Sequence, residues 1–262
     1  MNKGLIRDNF DKYAVNYDSE AKIQRDIASE LITLLPDRPY KNILEIGVGT
    51  GFFTEELLKK NEFSDFTAND VSVNMIETHK NKFFGRKIKY LTGNFEEAAI
   101  DNKYELIAGS AVFQWFTDLN LEIKRINKFL NINGDLLFSI FTEGTFYELD
   151  ESFRKSYEEL ALPYRRRILN FYNFDEITGF LKNNDFDVIK ISEKKIVINF
   201  DNPLIFLHSI RDIGAASFDS EKVGTVVMRK MIKNYKKLFL NKAGTIPATY
   251  NVLYCLARKK ND

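Results

Sequence analysis

NILEIGVGTGFF, residues 42–53, is the segment that decides the fold of this chain. It joins a short apolar run to three glycines at every second position, Gly47, Gly49 and Gly51, and a helical pattern begins at Phe53. A strand, a glycine turn and a helix in this order open a doubly wound α/β domain and cradle a phosphate or a nucleoside. Glycine suits the turn because a backbone without a Cβ can bend sharply and lie against a ligand.

The glycine spacing discriminates between two kinds of ligand. A dinucleotide-binding turn has the pattern Gly-x-Gly-x-x-Gly, which would require glycine at position 52, where Phe52 stands. The segment from Glu45 to Gly51 resembles motif I of the class I S-adenosylmethionine (SAM) methyltransferases instead. The resemblance implies that Glu45, Gly47, Gly49 and Gly51 bind the methionine half and the ribose of SAM. A tight turn with chance glycines is the alternative, and the flanking strand and helix argue against it.

The composition predicts an ordinary globular protein of the cytoplasm. The chain has 262 residues, 44% hydrophobic content, and 38 basic against 37 acidic residues, which gives no bulk attraction for nucleic acid. Its single cysteine excludes an intrachain disulfide framework, and its two histidines argue against a zinc cluster. Neither a signal peptide nor an apolar run of membrane-spanning length is present in the sequence. We therefore expect no metal, no membrane and no nucleic-acid partner.

Residues 1–36 predict two amphipathic helices ahead of the first strand. Aromatic and small residues recur at helical spacing up to Tyr17, and a second apolar face runs through residues 23–34. Two interpretations remain open. The helices could simply pack over a sheet edge, or they could form a lid that brings Tyr17 and Gln24 over the cofactor.

An acidic residue ends the predicted second strand, Phe66–Asp70. A carboxylate at the carboxyl end of this strand can accept hydrogen bonds from both ribose hydroxyls of a nucleoside. We favour that role for Asp70. Helix capping is the alternative, which Ser72 could perform equally well. Val71 would then border the adenine ring, or belong to the core.

The third and fourth predicted strands complete the cofactor site. Ile88–Leu91 is followed by Asn94 and Phe95, at a position where methyltransferases often carry an aspartate that accepts from the adenine amino group. The amide oxygen of Asn94 can accept the same bond; a solvated loop is the alternative. Tyr104–Ser110 is the fourth strand, and Ser110 lies at its carboxyl end, where binding groups collect in open α/β sheets.

Trp115 is the only tryptophan of the chain and follows the fourth strand. It could wall the substrate channel, or it could be a buried anchor. The rest of the chain predicts strands at 135–141, 187–200 and 249–257, with helices between them. Two helical segments interrupt the last hairpin and form a cap at 201–248. The predicted fold is therefore one α/β domain, residues 1–262, with a doubly wound, mostly parallel, seven-stranded sheet.

The set of motifs resembles one family closely, the malonyl-[acyl-carrier protein] O-methyltransferases of biotin synthesis. The matching residues extend over nearly the whole chain, and those in the cap are the most specific to the family. They are Phe10, Ala14, Tyr17, Asp18, Gln24 and Arg25; Glu45–Gly51; Asp70, Ser72 and Met75; Phe113–Trp115; Leu207, Arg211, Gly214 and Ala215; and Gly244–Tyr250. Asn94 departs from the usual aspartate.

The resemblance implies methyl transfer from SAM to the free carboxylate of a malonyl thioester on acyl carrier protein. A carboxylate of pKa ~4 is already ionised at neutral pH, so the reaction needs no general base. Catalysis would consist of positioning and the exclusion of water. Arg211 is the candidate clamp for the carboxylate, with Tyr17 as a neutral donor and Trp115 beside the acceptor. A surface salt bridge is the alternative role for Arg211.

Acyl carrier proteins present an acidic helix, so a basic docking surface is expected. Two helices offer one: Lys124, Arg125 and Lys128 on the first, and Arg229, Lys230 and Lys233 on the second. Solvated helix faces would show the same residues.

Three other functions compete with this interpretation. A methyltransferase for another small molecule, such as a quinone precursor or a free dicarboxylate, would share motif I but not the cap motifs. A nicotinamide-dependent oxidoreductase is disfavoured by Phe52. A non-catalytic SAM-binding module would retain Glu45 and Asp70 as this chain does.

Overall fold

A computed structural model describes residues 3–14, 21–60, 63–212 and 223–261. Its centre is a seven-stranded sheet in the order β3-β2-β1-β4-β5-β7-β6. Six strands are parallel, and β7 runs antiparallel between β5 and β6. The strands are β1 Asn42–Ile46, β2 Asp65–Asp70, β3 Ile88–Thr92, β4 Tyr104–Gly109, β5 Leu130–Phe141, β6 Phe186–Phe200 and β7 Ile246–Lys259. The predicted fold class is confirmed.

Nine α-helices lie within the described ranges. They are α1 Lys3–Tyr13, α2 Lys22–Leu31, α3 Phe52–Lys60, α4 Val73–Lys82, α5 Leu119–Phe129, α6 Tyr147–Glu159, α7 Phe174–Asn183, α8 Pro203–Asp212 and α9 Thr225–Phe239. Short 3-10 turns at Ile32–Leu34, Phe95–Glu97 and Phe113–Trp115 supplement them. No described helix has the length and the apolarity that a membrane crossing requires.

Two apolar cores cover the two faces of the sheet. One core joins α2, α3, α6, α8 and α9, and the other joins α5 and α7. Alternation along β7 shows the division, because Val252 and Tyr254 belong to the first core and Leu253 and Cys255 to the second. The helices of the cap therefore lie on the opposite side of the sheet from α5.

The glycine turn after β1 requires residues without a Cβ. Gly47 has φ +68° and Gly51 has φ +91°, both in the left-handed region that favours glycine. A Cβ built on Gly47 would lie 2.4 Å from Cγ2 of Val112, and one on Gly51 would lie 2.4 Å from the ring of Phe83. Both glycines therefore permit a close approach between the turn and other parts of the protein.

The helix α6 is joined firmly to the sheet where β5 ends. The N–H of Phe146 donates to the carbonyl of Thr249 at 2.7 Å. Glu148, which is fully buried in the first turn of α6, accepts from the N–H of Thr249 at 3.0 Å and from its hydroxyl at 2.5 Å. These contacts hold α6 against the beginning of β7.

Several sequence-based boundaries differ from the structure, among them the start of β5, which was predicted at residue 135 and lies at Leu130. The last strand was predicted at 249–257 but extends from Ile246 to Lys259, because β7 pairs with β6 along most of its length as well as with β5. Within the predicted cap, residues 201–248, the second helix spans Thr225–Phe239. Residues 213–222 lie outside the described part of the chain.

The interpretation of Arg125 as an outward-facing residue is wrong. Its guanidinium donates to the carbonyls of Phe95 and Ala98, and it lies over the rings of Phe95 and Phe129 at 5.0 and 5.2 Å. A long arginine side chain can bury its stem and satisfy backbone carbonyls at once. Arg125 therefore anchors the turn that follows β3.

Candidate cofactor and acceptor site

A cavity opens at the carboxyl ends of β1, β2 and β4, at the point where the sheet changes winding direction. The helix α1 covers it. The lining residues are Lys3, Ile6, Phe10, Ile46, Gly47, Gly49, Asn69, Asp70, Val71, Met75, Gly93, Asn94, Phe95, Ser110, Ala111, Val112, Trp115 and Phe116. Eight of the thirteen site residues predicted from the sequence are among these; Glu45, Gly51, Gln24 and Arg211 are not, and Tyr17 is not among the described residues.

Asp70 connects the glycine turn to the end of β2. One carboxylate oxygen accepts from the N–H of Gly49 at 2.9 Å, and the other accepts from the N–H of Ser72 at 2.9 Å. Each oxygen keeps a further lone pair for a ligand hydroxyl. Burial raises the pKa of Asp70 to about 6, against the hydrogen bonds from Ser72 and Gly49, which lower it. The carboxylate is therefore fixed in position before any ligand arrives.

Ser72, not Asp70, caps the following helix. The Ser72 hydroxyl accepts from the N–H of Met75 at 3.0 Å, in the N-cap geometry of α4. The Ser72 hydroxyl also donates to Asp11 of α1 at 2.5 Å, and Asp11 accepts from the N–H of Asn74 at 3.2 Å. The alternative role for Asp70 as the helix cap is thus filled by another residue.

The N-terminal helix is held over the cavity at both of its ends. Besides the contact of Asp11 with Ser72, the ammonium of Lys3 donates to the carbonyl of Trp115 at 2.5 Å and pairs with Glu96. The ring of Phe10 meets that of Trp115 edge to face at 5.6 Å. The described part of α1 therefore has the position of a lid.

Glu45 lies behind the glycine turn. It is 1% exposed and accepts from the hydroxyl of Thr54 at 2.6 Å. That hydroxyl lies 2.9 Å from Nε2 of His79, whose Nδ1 lies 3.1 Å from the hydroxyl of Tyr90. Burial raises the pKa of Glu45 to about 8 and lowers the pKa of His79 to about 4. These hydrogen-bonded side chains support the glycine turn.

The side chain of Asn94 also makes hydrogen bonds within the turn that follows β3. Its side-chain oxygen accepts from the N–H of Glu96 at 3.2 Å, and its amide nitrogen donates to Glu97 at 3.0 Å. Because an amide oxygen has two lone pairs, it can accept one more bond from a ligand in the cavity. The neighbouring ring of Phe95 is buried beneath the guanidinium of Arg125.

Ser110 marks the side of the cavity that faces β5. Its hydroxyl lies 3.4 Å from that of Ser139, and the Ser139 hydroxyl accepts from the N–H of Ala111 at 2.9 Å. Ala111 has φ +52°, so the chain turns abruptly as it leaves β4. This turn brings Val112 against Gly47 and closes the cavity between β1 and β4.

The comparisons with known proteins extend over the whole chain. The family described as "Methyltransferase domain" matches residues 19–191. A malonyl-[acyl-carrier protein] O-methyltransferase of Priestia megaterium is 32% identical to this chain, and the alignment covers 100% of both proteins. One of Acetivibrio thermocellus is 30% identical over 99% of this chain and 95% of its own. The chain belongs to the malonyl-[acyl-carrier protein] O-methyltransferase family.

Solved structures of other proteins share the fold at low identity. The N-methyltransferase NodS of Bradyrhizobium japonicum, solved with S-adenosyl-L-homocysteine, has a TM-score of 0.52 at 13% identity and covers 90% of this chain and 87% of its own. The YcgJ protein of Bacillus subtilis has a TM-score of 0.61 at 16% identity, with 90% of this chain and 99% of that chain covered. These likenesses concern the fold alone.

Three buried side-chain oxygens near the turn lack a hydrogen-bond partner among the described residues. They are Oε1 of Gln24, Oγ1 of Thr50 and Oε1 of Gln114. Gln114 follows the Ala111–Val112 bend that lines the cavity, and Arg25, next to Gln24, lies over the ring of Phe52 at 4.3 Å. Buried polar atoms are normally satisfied, so these three acceptors are exceptions, but none of the three residues lines the cavity.

The predicted acceptor residues are not brought together in the described structure. Tyr17 lies outside the described residues. Arg211 is exposed in the last turn of α8, and Trp115 lines the cofactor cavity beneath α1. The roles of Tyr17 and Arg211 stay predictions.

Several lining residues were missed by sequence reasoning. Lys3 and Ile6 belong to a helix whose amphipathic pattern does not tell which face covers a ligand. Asn69 bridges the ends of β2 and β3, since its amide donates to the carbonyls of Leu91 at 2.8 Å and Gly93 at 3.0 Å. Its place just before Asp70, at a strand's carboxyl end, was the signal that could have found it.

Proposed function

We propose that this protein transfers a methyl group from SAM to the free carboxylate of a malonyl thioester carried by acyl carrier protein, in the pathway to biotin. One observation carries the proposal. The generic methyltransferase match ends at residue 191, before the cap, whereas the malonyl-carrier relatives match through the cap to the end of the chain. Because the generic methyltransferase domain does not include the cap, similarity there supports an acceptor shared with these relatives.

The cofactor cavity supports SAM as the donor. SAM supplies a methyl group on a positively charged sulfonium when it is bound. Asp70 offers two anchored carboxylate oxygens to the ribose. Cations favour the ionised form of nearby carboxylates, so SAM would offset the burial that raises the pKa of Asp70.

The chemistry asks for positioning more than for proton transfer. A malonyl carboxylate of pKa ~4 is ionised at neutral pH and is itself the nucleophile. The protein has to hold its oxygen in line with the methyl group and keep water out. The lid α1, held by Lys3 at one end and by Asp11 at the other, covers the cavity in the way that this role requires.

Arg211 and Tyr17 remain our candidates for binding the carboxylate. Arginine binds carboxylates through two parallel hydrogen bonds, and a neutral hydroxyl adds a donor without blunting the nucleophile by charge. Trp115 stands between the lid and the bend that follows β4, where it can shape the end of the acceptor channel.

The docking surface for the carrier is best sought on α9. The basic residues of α5 and of α9 lie on opposite sides of the sheet, so one carrier helix cannot contact both. The guanidinium of Arg125 already donates to two backbone carbonyls, and the ammonium of Lys230 already pairs with Glu159 at 3.0 Å. Arg229 and Lys233 are exposed on a helix of the cap.

The test of the function incubates the purified protein with methyl-labelled SAM and three acceptors: malonyl carrier protein, malonyl-coenzyme A and free malonate. We expect base-labile label on the carrier, as a methyl ester gives. Absence of transfer to every malonyl species would contradict the proposal, and label on malonate alone would favour a small-molecule enzyme. Growth of a biotin auxotroph that expresses the protein tests the pathway.

The docking surface is tested by charge reversal. Lys233→Glu should raise KM for malonyl carrier protein roughly 10-fold at low salt and leave the Kd of SAM unchanged, because rim charges act on encounter with the partner. Lys124→Glu, an equally exposed lysine on the other side of the sheet, is the matched control. The reverse pattern would assign the carrier to α5.

A further inference from the structure

Tyr250 stands beyond the end of β5, at the carboxyl-terminal edge of the sheet. The last residue pair between β5 and β7 joins Phe141 to Val252, and Tyr250 lies two residues further along β7. Because β5 runs parallel to β1 and β4, this edge is the one at which the cofactor cavity opens. Tyr250 therefore lies on the acceptor side, between the sheet and the cap.

Its side chain lies on the same face of the sheet as the Ser139 hydroxyl. Ser139 pairs with Tyr254 across the strands, and alternate residues of β7 share a face, so Tyr254, Val252 and Tyr250 follow one another upward. The Ser139 hydroxyl accepts from the N–H of Ala111, which lines the cavity. Along β7, Tyr250 lies four residues from Tyr254, the residue opposite Ser139, and this separation corresponds to roughly 13 Å.

The hydroxyl of Tyr250 makes no hydrogen bond within the described residues, although the residue is only 3% exposed. Two other buried tyrosines have partners: Tyr40 donates to Asp135 at 2.5 Å, and Tyr235 donates to the carbonyl of Pro247 at 2.7 Å. The hydroxyl oxygen of Tyr250 is not among the fully buried side-chain atoms of the described residues that lack a partner, so it keeps accessible surface that a ligand can reach. A bound acceptor substrate can therefore accept a hydrogen bond from it.

The ring and backbone of Tyr250 are fixed from several directions. Phe146 meets the ring edge to face at 4.8 Å, and Phe141 lies at 5.9 Å. The two neighbours of Tyr250 in the chain are also fixed. Thr249 donates twice to Glu148, and the N–H of Asn251 donates to the hydroxyl of Thr145 at 3.0 Å. The hydroxyl is thus held in place before substrate binds, as an orienting group must be.

The surroundings favour a neutral acceptor for this hydroxyl. Burial raises the pKa of Tyr250 and the nearby carboxylate of Glu148 raises it further, so the phenol keeps its proton and can donate it in a hydrogen bond. The same buried carboxylate disfavours a second anion beside it. A carbonyl oxygen suits this position better than the malonyl carboxylate does.

We infer that Tyr250 donates a hydrogen bond to the thioester carbonyl of the malonyl acceptor and so orients the distal carboxylate toward the methyl donor. The inference rests on the proposed function, and it deepens it by separating two subsites. The thioester carbonyl binds at β7, and the carboxylate binds elsewhere in the acceptor site.

The experiment compares two acceptors on the carrier protein. One is the malonyl thioester, and the other is the 2-carboxyethyl thioether, in which a methylene replaces the thioester carbonyl. Tyr250→Phe should lower kcat/KM for the malonyl carrier roughly 10-fold and leave kcat/KM for the thioether within about twofold of the wild-type value. The Kd of SAM, measured by calorimetry, should not change.

Tyr235→Phe is the matched control, because it removes another buried hydroxyl of the same region. It should lower the stability of the protein and leave the wild-type ratio between the two acceptors intact. Equal losses on both acceptors in Tyr250→Phe, or no loss on either, would overturn the inference. Wild-type protein that methylates neither carrier would overturn the proposed function instead, and the inference with it.

Discussion

The donor half and the acceptor half of this molecule are built in different ways. The donor half comprises β1, β2 and β4 with the turns that follow them, and backbone groups and a fixed carboxylate shape it. The acceptor half comprises the end of β5, the cap helices and β7, and aromatic packing around one buried carboxylate shapes it. Local sequence spacing determines the first half, whereas contacts between residues far apart in the chain determine the second.

Of the substitutions considered, Gly47→Ala should disrupt the donor half most strongly. A Cβ at this position would lie 2.4 Å from Val112, and the left-handed φ of +68° adds strain of about 1 kcal/mol. The turn must shift, and a displacement of about 1 Å near the chemistry can reduce activity ~100-fold. We expect a loss of at least that size in kcat/KM for SAM, measured by single-turnover methylation.

Gly85→Ala is the control for strain without a clash. Gly85 has φ +79°, and a Cβ there would meet nothing within 4 Å. This variant should lose about 1 kcal/mol of stability and bind SAM like the wild type. If both variants lose SAM binding equally, backbone strain rather than close approach explains the glycine of the turn.

Asp70→Asn should produce the next largest effect and a change in pH dependence. The neutral amide loses the charged acceptor, and its NH2 faces the N–H of Gly49 or Ser72. At pH 8 we expect the Kd of SAM to rise roughly 50-fold. Burial raises the pKa of Asp70 to about 6, so protonation at lower pH should weaken binding by the wild type and narrow its advantage over the variant at pH 5.

Calorimetric titrations of SAM at pH 5 to 8 check this prediction. Asp65→Asn, at the exposed start of the same strand, should follow the wild-type curve. A wild-type Kd that is constant across this range would show that Asp70 does not titrate in it.

The contrast between the halves explains how much the sequence could predict. The positions of motif I after β1 and of Asp70 at the end of β2 were predicted correctly, because a strand, the turn after it and the last residue of the next strand obey short-range rules. Arg125 was misinterpreted because an amphipathic pattern records which side of a helix is polar, and does not record that the turn after β3 brings the carbonyls of Phe95 and Ala98 to it. The pairing of Glu148 with Thr249, residues 101 positions apart, has no local signature at all.

Glu148→Gln tests whether the acceptor half is independent of the donor half. The amide keeps one acceptor oxygen and places an NH2 against a donor of Thr249, which leaves a buried group unsatisfied. We expect a loss of about 2 kcal/mol in the free energy of unfolding, measured with urea, and an unchanged Kd for SAM. Glu151→Gln, an exposed position on the same helix, should change neither quantity. Weaker SAM binding in Glu148→Gln would show that the two halves are coupled.

The smallest expected effect concerns the lid, which belongs to the donor half but is joined to it by few contacts. Asp11→Asn keeps the shape of the side chain and weakens its acceptor bonds to the hydroxyl of Ser72 and the N–H of Asn74. Because Ser72 also donates its N–H to Asp70, the lid and the ribose site share one residue. We expect SAM to dissociate about 3-fold faster, since an exposed hydrogen bond contributes only about 0.5–1 kcal/mol. Stopped-flow release of SAM measures the rate, with Asp8→Asn, which pairs with Arg7 on the exposed side of α1, as the control. An unchanged rate in Asp11→Asn would mean that Lys3 and Phe10 suffice to hold the lid, and that the end of α1 near Ser72 opens without resistance.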